Sequence, residues 1–440
     1  MQIDLTRGGI TRPMLLFAGP MIAGNLLQQC YNIADTLIVG RVLGPSALAA
    51  VGFSFTLMTF LTSVLMGLCM GSGALWSMLY GARQEDELKR CLFACFLFIG
   101  GATVLLNVGV LALLEPIMGL LQIPAEAWAA TYTYLRVVLL GICFTFFYNY
   151  CACLLRAVGN SVAPLIFLAV STVLNIGLDL WFVLGLDWGV AGAAGATVLA
   201  QGASAAGIAL YCIRRVPLLR LERRHCTLER GQLRRIVSYS LLTCVQQSVM
   251  NFGILLVQGL VNSFGVAVMA AFAAAVKIDA FAYMPVQDFG NAFSTFVAQN
   301  TGAQKAERIR KGIRSALGTS ILFCLCSSLL VCLFAAPLMG IFVSPTETEI
   351  VRIGVEYLRI EGMCYCGIGS LFLLYGLFRG LGRPGVSVVL TVISLGTRVV
   401  LAYLLAPIPA VGLRGIWWAV PIGWALADLA GLIFYRRQPV

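Results

Sequence analysis

Hydrophobic runs long enough to cross a ~30 Å hydrocarbon core recur along the whole chain, and about twelve of them can be counted, separated by short polar breaks. They lie at 13–39, 48–80, 91–114, 130–154, 162–184, 189–213, 236–261, 267–299, 315–343, 353–378, 385–406 and 411–435. With 60% hydrophobic and 11% charged residues, and a mean hydropathy of +0.91, the chain lies outside the range of soluble globular domains. An all-α polytopic membrane protein of about 12 transmembrane helices is expected, with no soluble domain left over. The first run is too long, and its flank too ordinary, for a cleaved signal peptide, so it is expected to remain as a helix.

The net charge of +11 invites a nucleic-acid reading, but its distribution argues against one. Basic residues fall on alternate connections: Arg7 and Arg12; Arg83, Lys89 and Arg90; Arg156; the stretch RRVPLLRLERRHCTLERGQLRR; Lys305 to Arg314; Arg379 and Arg383; Arg436 and Arg437. These make 23 of the 30 Lys and Arg, leaving seven elsewhere. This is the positive-inside pattern, and it predicts that both termini and the loop around Arg223 face the cytoplasm. The basic faces then meet membrane lipids, and no nucleic acid is expected as a partner. The 15 cysteines fall mostly within hydrophobic runs without a zinc-type spacing, and the single histidine, His225, stands among arginines, so no metal site and no cofactor are expected.

The second half of the chain is a diverged copy of the first. YGARQEDELKR from Tyr80 answers TGAQKAERIRK from Thr301, TYLR at Thr133 answers EYLR at Glu356, and LLRAVGNS at Leu154 answers LFRGLGRP at Leu377. The offset is 221 to 223 residues throughout, which predicts a six-helix lobe at 1–213, a basic cytoplasmic linker at 214–235 and a second lobe at 236–440. An even number of helices per half gives both copies the same orientation in the membrane, the arrangement of a transporter with a midplane site.

The phrases LLQQCYNIADTLIVGRVLGPSALAAVG, NIGLD, AAAVKIDAFAYMP, QNTGA and LFRGLGRP resemble the multidrug and toxic compound extrusion (MATE) family, over essentially the whole chain. The resemblance implies a V-shaped pair of six-helix lobes in the bacterial plasma membrane. It also implies export of drugs or other organic cations in exchange for protons or sodium ions, by alternating access.

Polar residues inside the runs are the candidate site. Gln28, Tyr31, Asn32 and Asp35 follow steps of three and four and form one stripe on the first helix. Asn175 and Asp179 are spaced by four on the fifth helix, as are Thr197 and Gln201 on the sixth. A carboxylate in the bilayer is costly. A neighbouring acid and desolvation both disfavour the charged form, so a buried acid pair is able to take up and release a proton, and its oxygens are equally able to coordinate Na⁺. The same residues also read as buried structural hydrogen-bonding groups. The resemblance implies that Asp35, Asn175 and Asp179 form the cation-coupling site, with Thr197 as a neighbouring hydroxyl.

In the second half, repeat alignment sets Arg398 opposite Asn175 and Ala402 opposite Asp179, so no equivalent carboxylate stands on the eleventh helix. Lys277, Asp279, Arg398 and Asp428 are isolated charges expected to pair as a network, Arg398 with Asp428 in particular. Gln246, Gln247 and Asn251 on the seventh helix stand where a sodium-using subgroup of the family keeps a glutamate, and Glu361 reads as lying near the outer end of the tenth helix. Both features point to the subgroup whose coupling site is in the N-terminal lobe. Gln28, Tyr31, Asn32, Gln201, Gln246, Gln247, Asn251 and Met284 are candidates for the substrate cavity. A monomeric exporter is expected; the alternatives are a lipid-linked oligosaccharide flippase of related architecture, and, from another class, a membrane enzyme. No nucleophile and base pair, metal-ligand set or phosphate loop supports the last.

Overall fold

The long apolar runs form helices, as they must where water is absent and every backbone N–H needs an internal partner. The computed structural model describes residues 3–120, 123–217, 222–344 and 346–437. Its helices are α1 (Thr11–Val42), α2 (Pro45–Gly81), α3 (Glu85–Ala112), α4 (Leu114–Leu120), α5 (Ala125–Leu140), α6 (Ile142–Ala157), α7 (Val162–Asp179), α8 (Gly189–Arg215), α9 (Arg230–Asn262), α10 (Val266–Gly302), α11 (Ala306–Leu333), α12 (Ala335–Met339), α13 (Thr348–Gly362), α14 (Tyr365–Gly380), α15 (Pro384–Leu405) and α16 (Gly412–Arg437). No strand occurs among the described residues.

Nine described helices are long and apolar enough to cross a membrane, and the number is eleven if two bent pairs each count as one span. The bent pairs are α5 with α6, at 45°, and α13 with α14, at 53°. Continuous spans were expected at 130–154 and 353–378; each is broken, at Gly141 and at Met363–Cys364. α1, with 32 residues, has ample length for a bilayer.

The repeat is written into the backbone. Left-handed φ values recur at the same offset: Gly44 and Gly265 before α2 and α10, Arg83 and Gln304 after them, Gly159 and Gly382, and Gly189 and Gly412. These positions cap or start corresponding helices, so the two halves share their turns as well as their apolar runs. One feature of the first half has no counterpart: α7 continues into a π-helical turn, Leu180–Gly185, directly after Asp179.

The chain divides into two units. One comprises Gly19–Cys244, and the other Asp4–Ala18 and Val245 onward. The basic connection 214–235 thus lies inside the first unit, together with the start of α9. Its anchor is the buried His225, whose Nδ1 accepts from the Glu222 backbone N–H (3.0 Å) and whose Nε2 then donates to Asp86 Oδ1 (2.9 Å). Arg90 with Glu229 adds an ion pair at 2.8 Å. In the second unit the Arg308 guanidinium collects the carbonyls of Leu5, Arg7, Gly8 and Gly9, and Lys305 donates to Thr6 O (2.8 Å).

Small residues let helices approach closely. A Cβ on Gly376 of α14 would lie 2.4 Å from the Gly290 carbonyl oxygen of α10, so the pair is held at a distance that excludes alanine. In the first unit a Cβ on Gly71 of α2 would lie 2.3 Å from Tyr239 O of α9.

Candidate functional site

α1, α7 and α8 bring the predicted acids together in the first unit. Asp35 and Asp179 are buried, at 7% and 0% exposure, and their carboxyl groups meet side chain to side chain. Asn175, one turn before Asp179, directs its amide nitrogen to Asp179 Oδ2 (2.9 Å), and its amide oxygen accepts from the Thr197 backbone N–H (3.1 Å). The Thr197 hydroxyl lies 3.4 Å from the Tyr31 hydroxyl and bonds back to Ala193 O (3.2 Å). Asp35, Asn175, Asp179 and Thr197, singled out by helical spacing and by the family resemblance, therefore converge, with Tyr31 beside them.

Two charges of one sign held this close in a desolvated setting repel, so the pair is stable when a proton or a cation is shared between them. Oδ1 of Asp35 and Oδ1 of Asp179 are buried without a hydrogen-bond partner. No arginine or lysine approaches the pair among the described residues. The donor set is oxygen-rich and hard, which suits H⁺ or Na⁺ and offers nothing to a soft metal. The π-helical turn after Asp179 is a local break of the kind that often accompanies function.

Tyr134 of α5 was not foreseen. It is buried beside Thr197, within electrostatic reach of Asp35, Tyr31 and Asp179, and it belongs to an apolar cluster with Val39, Val138 and Val183 that walls the site. Its only signal in the sequence is an ordinary aromatic in TYLR.

Of the cavity candidates, Gln28 and Asn32 are half-buried on α1, and Gln201 accepts from the Thr145 hydroxyl of α6 (2.8 Å). Gln246, Gln247, Asn251 and Met284 belong to the second unit; Gln246 is buried and the other three half-buried.

The second unit carries an acid cluster of its own, and it differs from the expected network. Asp279 of α10 accepts from the Tyr365 hydroxyl (2.6 Å) and stands beside Glu361, Tyr357 and Arg398. Asp279 and Glu361 are 4% and 1% exposed. Glu361 lies in the last turn of α13, and the 53° break just beyond it turns both Glu361 and Tyr365 toward Asp279. The step of four from Tyr357 to Glu361 was the legible part of this face, and Tyr365 lies beyond the break.

Lys277 and Asp428 stand outside the cluster. Lys277, two residues from Asp279 and so on another face of α10, is exposed and sits over the Phe342 ring at 5.9 Å. Arg398 makes no ion pair with Asp428 among the described residues: its backbone N packs at the level of Gly423, and Asp428 is five residues farther along α16, roughly 7 Å at 1.5 Å per residue. Asp428 instead faces α14 near Gly367 and Tyr375.

Comparison with known proteins now decides the family. The MatE family model matches residues 20–181 and again 243–404, two copies offset by 223 residues. The chain belongs to the MatE family. It is 28% identical over 441 residues to the probable multidrug resistance protein YpnP of Bacillus subtilis, covering 98% of this chain and 96% of that protein. The multidrug export protein MepA of Staphylococcus aureus is 24% identical, with 96% of this chain and 93% of that protein covered. Among solved structures, the fold matches a MATE transporter crystallised in its bent conformation with a TM-score of 0.93, at 24% identity, covering 99% of this chain and 97% of that one. The expected architecture of an all-helical MATE transporter is thus the observed one.

Proposed function

We propose that this MatE chain is a secondary active exporter of organic cations, driven inward-for-outward by H⁺ or Na⁺ through the acid pair of its first unit. The observation that carries the reading is the direct meeting of Asp35 and Asp179, both buried, with no cationic side chain beside them among the described residues. Such a pair tolerates the membrane interior in two states only: with a bound proton or sodium ion, or opened to water. Alternation between those states is what links ion movement to drug movement. Asn175 and Thr197 fix the geometry, and Tyr31 and Tyr134 close the site against its apolar wall.

In this reading both termini face the cytoplasm, the protein acts as a monomer in the plasma membrane, and the multidrug activity named for YpnP and MepA extends to it. Arg398 is drawn toward Asp279 and Glu361, so the charge it would offer a lipid-linked oligosaccharide is already engaged, which favours drug export over flipping.

The test is the purified chain in liposomes, with a proton gradient or a sodium gradient imposed separately, reading transport of a fluorescent organic cation. Transport driven by one gradient and collapsed by the matching ionophore is the expected result. Transport indifferent to both gradients would refute ion coupling.

A further inference from the structure

Seven Lys and Arg remain when the 23 on alternate connections are set aside from the 30, and three of the seven line one cavity of about 540 Å³. Those three are Arg352, Arg359 and Arg414. α13 supplies Arg352, Val355, Glu356, Arg359 and Ile360 at steps of three and four, so they share one helix face, and Arg414 comes from the first turn of α16. Arg436 and Arg437 close α16 at its other end, so this cavity lies at the end of the second unit opposite the basic connections.

Placing three arginines there runs against the charge asymmetry of the rest of the chain. One of them is neutralised: Arg414 pairs with Glu356. Arg352 and Arg359 are exposed and make no ion pair or side-chain hydrogen bond among the described residues. Three guanidinium groups and one carboxylate leave two positive charges along an open groove, and the cation Arg414 at a helix start is itself unfavourable for the helix dipole. Beside the charges the wall is apolar, through Val355 and Ile360. A site of this kind fits an anion that brings a planar fork of oxygens to guanidinium and an apolar part to the wall.

We propose that this cavity is a phosphate-binding site, filled either by the headgroup of an anionic phospholipid or by free phosphate. Basic pockets at the ends of membrane helices hold headgroups by the same chemistry. Glu356 tunes the site: its carboxylate offsets the charge of Arg414 and opposes a bound anion.

The test uses the full chain in a non-ionic detergent, titrated calorimetrically with short-chain phosphatidylglycerol, with phosphatidylcholine of the same chains and with inorganic phosphate. The account expects binding of phosphatidylglycerol at least tenfold tighter than phosphatidylcholine, or saturable binding of inorganic phosphate. In either case affinity falls at least tenfold in the Arg352→Gln/Arg359→Gln double variant. Phosphatidylglycerol binding that millimolar phosphate does not displace identifies the lipid as the source, whereas displacement identifies free phosphate. Glu356→Gln, which keeps all three arginines, should bind as tightly as wild type or severalfold tighter. Equal binding of all three probes by wild type and the double variant, or weaker binding by Glu356→Gln, overturns the site.

Discussion

The two units bury acids in opposite ways. In the first, Asp35 and Asp179 meet among an amide, a hydroxyl and two tyrosines, with no positive side chain beside them among the described residues. In the second, Asp279 and Glu361 meet with Arg398 beside them and with the Tyr365 hydroxyl donating at 2.6 Å. A buried negative charge must be compensated, and a fixed arginine does so permanently whereas a mobile ion does so in one state. The difference separates the two acid pairs: the second carries most of its compensation within the chain, whereas the first, in the proposed reading, takes it from a mobile ion.

The comparison breaks most sharply at the first pair. Asp35→Asn and Asp179→Asn should each leave insertion and folding intact while reducing gradient-driven efflux to that of empty liposomes. A variant of Glu361 to Gln should keep efflux, and its loss would erase the distinction between the units.

Stability is the next discriminator. Arg398→Met strands Asp279 and Glu361 together, and removing one partner from a buried charged set costs about 3–5 kcal/mol. The temperature of thermal aggregation in detergent should fall markedly for Arg398→Met and recover in part when Glu361→Gln is added. Tyr365→Phe removes one hydrogen bond to a charged group and should cost about 1.5–3 kcal/mol in chemical denaturation. The smallest effect belongs to Asp428: a double-mutant cycle of Arg398→Met with Asp428→Asn should give additive changes, because the two side chains do not pair. A coupling energy above ~0.5 kcal/mol would restore the pair to the network.

The faces of the first candidate site were legible through spacing, Tyr31 to Asp35, Asn175 to Asp179 and a hydroxyl among the small residues of α8, while their union in one site came from the family resemblance. Convergence of three such faces needed only that the helices pack. Tyr134 was not legible, since one aromatic in a membrane span looks like any other until a neighbour is known. In the second unit the reading failed at a break in the backbone. Hydropathy places Glu361 near a helix end, where an acid is unremarkable, but the 53° bend at Met363–Cys364 turns that end inward. Sequence periodicity follows faces along a straight helix and loses them at a bend. Lys277 and Asp428 were grouped with Arg398 for being charged inside apolar runs, a criterion blind to helix face and to height along the axis.

The most direct measurement of the central claim compares two activities of one variant. Asp35→Asn is reconstituted in liposomes and assayed for exchange of labelled against unlabelled organic cation without any ion gradient, and then for accumulation driven by a proton or sodium gradient. If Asp35 carries the coupling ion, the variant retains substrate exchange and shows no gradient-driven accumulation at any pH from about 6 to 8. Accumulation at the wild-type rate across that range would contradict the account and leave Asp35 a structural group.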